Sequence, residues 1–81
     1  MKKIIQDKTF IVEDVQGNMV KYNYSRQKQE WGLLTRHFAG GSYMVLFEGH
    51  YMMALNEYRD ILQDCKLNEN FKVFECGDLT T

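Results

Sequence analysis

Two short runs of strand-forming residues meet at Gln16-Gly17-Asn18, and this junction constrains the chain more than any other feature. Thr9-Phe10-Ile11-Val12-Glu13-Asp14-Val15 is rich in β-branched and apolar residues, and Met19-Val20-Lys21-Tyr22-Asn23-Tyr24 alternates. Such side chains pack well on a pleated surface, and a two-residue Gly-Asn loop suits a tight hairpin turn. With Gly17 and Asn18 as the loop, the register pairs Val15 with Val20, Asp14 with Lys21 and Ile11 with Tyr24. It sets an acid across from a base and gathers Ile11, Val15, Val20, Tyr22 and Tyr24 on one face.

Downstream, Ser25 precedes Arg26-Gln27-Lys28-Gln29-Glu30, a run of good helix formers, and serine is a favoured N-cap. Trp31, Leu34 and Phe38 follow at helical spacing, and Gly40-Gly41 ends the pattern. Residues 25–39 are therefore expected to be helical, although Gly32 costs about 1 kcal/mol relative to alanine inside a helix. The alternative is a second hairpin, with Leu33 to Phe38 turning through Ala39-Gly40-Gly41-Ser42. The uncharged run Tyr43-Met44-Val45-Leu46-Phe47 reads as a central strand buried on both faces. His50 to Lys66 is the clearest helix, with Tyr51, Ala54, Leu55, Tyr58, Ile61, Leu62 and Cys65 on one stripe. Residues 71–76 form a last strand and Gly77 to Thr81 a tail.

The expected class is thus α+β in the order ββαβαβ: a roughly four-stranded mixed or antiparallel sheet with two helices packed on one face. The second helix is long enough to join its flanking strands as a parallel crossover. At 81 residues the chain makes one domain over 1–81. A domain of this size buries roughly 60–65% of the surface of its unfolded chain, enough for one core and little room for a deep cleft. Aromatic content of 14% and a formal charge of −1 argue against disorder. There is no proline, so every backbone N–H can join a ladder.

The longest uncharged run, Phe38 to Phe47, falls far short of the ~20 residues that span a bilayer, so no membrane contact is expected. Lys2 and Lys3 are not followed by the apolar region of a signal peptide. A secreted chain this small would usually hold four or more cysteines, whereas this one has Cys65 and Cys76 alone. Reduced thiols and a cytoplasmic location follow as expectations.

Charge is unevenly distributed. Between residues 21 and 37, Lys21, Arg26, Lys28 and Arg36 oppose only Glu30. From residue 38 onward, seven acids oppose Arg59, Lys66 and Lys72. The basic segment contains Tyr22, Tyr24 and Trp31, so Lys21, Arg26, Lys28, Arg36 and His37 form a candidate nucleic-acid site. Against it, Tyr22 and Tyr24 alternate away from Lys21, and a pI near 6 is low for a dedicated binder. In the acidic half, Met53, Glu57, Asp60 and Asp64 share one stripe of the long helix. Such a stripe is ordinarily a solvated face; as a site it would steer and select a basic protein partner.

Other chemistry lacks its motifs. His37, His50, Cys65 and Cys76 could supply four ligands, but there is no Cys-x-x-Cys and no His-x₃₋₅-His, so no zinc or other metal is expected. Neither a nucleophile paired with a base nor a phosphate-binding glycine loop is visible, so neither catalysis nor a cofactor is expected. The reading that survives is a small protein-interaction module: a stoichiometric regulator, inhibitor or accessory subunit of a larger protein. A homodimer through an edge strand at residues 71–76 belongs to the same expectation.

Overall fold

The structure, a computed structural model, describes residues 7–78. Lys2 and Lys3, and the end of the expected tail, lie outside them. Five strands and one helix follow in the order β1 (Lys8–Glu13), β2 (Met19–Arg26), β3 (Trp31–Phe38), β4 (Tyr43–His50), α1 (Tyr51–Leu67) and β5 (Lys72–Asp78). The first four strands form an antiparallel meander. The helix crosses one face and delivers β5 to the far side of β1, giving the sheet order β4-β3-β2-β1-β5.

This corrects the expected ββαβαβ fold with four strands and two helices. Residues 31–38 form β3, paired on both sides, and Ser25 sits within β2 instead of capping a helix. The second-hairpin alternative is the one the chain adopts. Trp31, Leu34 and Phe38 match a helical period by coincidence, because both faces of β3 carry apolar groups. No parallel pair forms among the described strands: β4 and β5 lie at opposite edges instead of side by side. β4 is therefore no central strand, and Tyr43, Met44 and Val45 are exposed.

The hairpin exists, but its register differs. Ile11 pairs with Lys21 and Phe10 with Tyr22, because the loop is Val15-Gln16-Gly17. Gly17 N–H donates to Asp14 O and Asp14 N–H to Asn18 O, with Gly17 at φ 87°. This is the three-residue loop that ends on a left-handed glycine. The Asp14 side chain decides for it by accepting from the N–H groups of Gln16 and Asn18. Gly41, at φ 96°, closes the β3–β4 loop in the same way.

The core lies between the sheet and α1. Phe10 and Val12 of β1, Tyr22 and Tyr24 of β2 and Leu34 of β3 meet Ala54, Tyr58 and Cys65 of the helix. The Phe10 and Tyr22 rings stack at 4.8 Å, and Tyr58 meets Phe10 edge-on at 5.3 Å. At Gly32 helix and sheet approach too closely for a side chain, since a Cβ there would lie 2.7 Å from the Tyr51 Cα. The helix begins at His50, whose Nδ1 accepts from Met52 N–H. Among the described residues no helix is long and apolar enough to cross a membrane.

Candidate functional site

A sheet has two faces, and α1 covers only one. Cross-strand pairing assigns the other face residue by residue. One row runs Phe74–Ile11–Lys21–His37–Tyr43 across all five strands, and beside it lies Thr9–Asn23–Thr35–Val45. Leu33 pairs with Glu48, and Trp31 with His50, toward the other end of β3.

The middle of this face is polar and internally bonded. Thr9 Oγ1 donates to Asn23 Oδ1 at 2.8 Å. The Thr35 hydroxyl, nearly buried, lies 3.4 Å from the Asn23 carbonyl and 2.9 Å from His37 Nε2. The direction of the Thr35–His37 bond follows the ring nitrogen that carries the proton. The His37 ring stacks on Tyr43 at 5.4 Å.

Apolar groups flank that centre. On one side Trp31, Leu33, Tyr43 and Val45 follow β3 and β4, with Tyr43 63%, Val45 49% and Trp31 46% exposed. On the other, Ile11 stands beside Phe74, itself 48% exposed. Trp31 Nε1–H donates to Glu48 Oε2 at 3.1 Å, which fixes the indole on the face. Charges here nearly balance: Lys21, Lys72 and Lys28, which lines a shallow pocket with Trp31, Leu33 and Glu48, against Glu13 and Glu48, with Glu13 directly across from Lys72. A solvated antiparallel face normally presents polar groups, so the half-exposed aromatics are what sets this one apart.

The structure splits the candidate nucleic-acid set. Lys21 and His37 are cross-strand neighbours on the uncovered face. Arg36 points to the helix side, where its Nη2 donates to the Tyr22 hydroxyl at 2.6 Å. Arg26 lies over the Tyr51 ring at 3.6 Å and donates through Nε to Gln29 O. Lys28 is in the β2–β3 turn. Tyr22 and Tyr24 are buried, and burial pushes the Tyr24 hydroxyl above its ordinary value. Met53, Glu57, Asp60 and Asp64 are all exposed on the outer side of α1, away from the sheet.

Among the described residues no three histidine, cysteine or acidic side chains converge as a metal-binding group. Cys65 is buried beneath the helix, and Cys76 is exposed on β5. The uncovered face was not read from the sequence because two alternations were missed. Trp31, Leu33, Thr35 and His37 share one side of β3, and Tyr43 and Val45 continue it across the turn. Comparison with known protein families, characterised proteins and solved structures finds no match.

Proposed function

We propose that this chain is a protein-interaction module that binds a larger protein stoichiometrically through the uncovered face of its sheet. The supporting observation is the set of half-exposed aromatic and aliphatic groups there, Trp31, Tyr43, Val45 and Phe74, around a hydrogen-bonded polar centre. Interfaces are enriched in aromatic residues, and this face presents Trp31, Tyr43 and Phe74 with one charge, Lys21, in its central row. Its partner presents apolar groups to either side of polar ones that meet the Asn23–Thr35–His37 centre. The acidic stripe on α1 belongs to the opposite side of the molecule and is not needed for this contact.

Nucleic acid is the competing ligand, because exposed aromatics also stack bases. Balanced charge on the face disfavours it, since phosphate binding draws its affinity from clustered cations.

Affinity capture with three baits tests the proposal: the unaltered chain, Trp31→Lys/Phe74→Lys, and Glu57→Lys/Asp60→Lys. One protein held in stoichiometric amount by the first and third, and lost from the second, is the expected result. Equal retention by all three, or loss from the helix variant alone, overturns it. Binding of short RNA or DNA that collapses as salt rises would replace it with the nucleic-acid reading.

A further inference from the structure

The two edges of the sheet are built differently. β5 carries Lys72 and Glu75, its pairing with β1 is irregular near Thr9 and Phe10, and Lys66 of the helix pairs with Glu75. Charges and bulges are the devices that keep an edge strand from recruiting another strand. β4 has no charge from Tyr43 to Phe47, and Tyr43, Met44 and Val45 are all about half exposed or more. Its one irregularity falls beyond Val45, where the pairing with β3 shifts.

We propose that β4 pairs with the β4 of a second copy of this chain, antiparallel about a two-fold axis at Met44, joining the two sheets into one. Backbone geometry allows that register, and the side chains favour it. Phe38 N–H donates to Ser42 O, so alternation along the hairpin turns the N–H and C=O groups of Tyr43 and Val45 away from β3. A two-fold axis at Met44 sets each Tyr43 opposite the other copy's Val45, which completes their ladder bonds. It also makes two aromatic–β-branched pairs, a favourable cross-strand combination.

Charge supports a second copy as the occupant. A two-fold contact brings the residues near its axis close to their own copies, so charge there would repel itself, whereas Tyr43 to Phe47 carry none. In the same register Glu48 falls opposite Gly40, not opposite another acid. Both uncovered faces then lie on one side of the joined sheet and both helices on the other. The contact is small and belongs to the transient class below about 1,200 Å². Tyr43 and Val45 belong to both this contact and the face proposed above, but Met44 does not, because it is on the helix side of the sheet, paired with Arg36.

Sedimentation equilibrium from low to high micromolar concentration tests it with Met44→Lys and Met44→Glu, each checked for folding by circular dichroism. The unaltered chain forms dimers. Each variant alone places like charges on the axis and weakens association about tenfold or more. An equimolar mixture of the two recovers it, a result that loss of folding cannot imitate. An unaltered chain that stays monomeric throughout overturns the proposal. So does a dimer indifferent to both variants, which would place the contact at β5 or on the sheet face.

Discussion

Asp14 shows how one side chain sets a register. Its carboxylate accepts from the N–H groups of Asn18 and Gln16, and these bonds hold it below its ordinary value of 3.8, the Asn18 N–H contributing most. A carboxyl depressed on folding stabilises the native state above its unfolded value, and that contribution is lost as pH falls through the folded one. Asp14→Ala should therefore lower the melting temperature at neutral pH, with the difference from the unaltered chain closing in acid below 3.8. Thermal melts across that range check it. Gly32 acts by what it lacks: a Cβ there would meet the Tyr51 Cα at 2.7 Å and the Ala54 Cβ at 2.9 Å. Gly32→Ala should destabilise by about 1–3 kcal/mol in urea unfolding, the usual cost of overpacking. Burial also raises the Cys65 thiol, with Asp64 adding to it, while Cys76 is exposed. A thiol reagent should label Cys76 in the folded protein and Cys65 only under denaturing conditions, as peptide mass spectrometry would show.

At the scale of elements, α1 was legible because its code is redundant. Seven apolar residues at helical spacing from Tyr51 to Cys65 face the sheet, and Ala54, Tyr58 and Cys65 are buried there. No acid occupies the first turn, so His50 Nδ1 provides the cap. His50→Ala should cost about 0.5–2 kcal/mol, the range for losing an N-cap acceptor, measured by chemical denaturation. β3 was not legible. A strand with apolar groups on both sides loses its two-residue period, and Gly32 resembles a helix defect until the helix packed against it is seen. Hydrophobicity alone makes the run Tyr43–Phe47 read as a buried strand, yet only pairing partners decide whether a strand is central.

For the molecule as a whole, one helix over five strands leaves one face without a cover among the described residues. The core does not depend on that face, because Phe10, Tyr22, Tyr24 and Leu34 all point to the helix. Trp31→Lys/Phe74→Lys should thus keep a melting temperature within a few degrees of the parent, since substitutions at exposed sites usually change stability by about 0.5 kcal/mol or less each. A cooperative loss of structure in that variant would mean the face is part of the core.

By itself the sequence determined the properties that local chemistry sets: a hairpin near residue 17, the helix from residue 51, and a class mixing helix with strand. These follow from turn residues and side-chain period, which act over a few neighbours. The tertiary structure alone decided the strand identity of residues 31–38, the edge position of β4 and, among the described residues, the existence of an uncovered face. Each depends on which distant segment lies alongside, as when β1 takes β5 as its second neighbour. Pairing across such a separation is chosen by the burial of the whole core, and no local window of residues contains that choice.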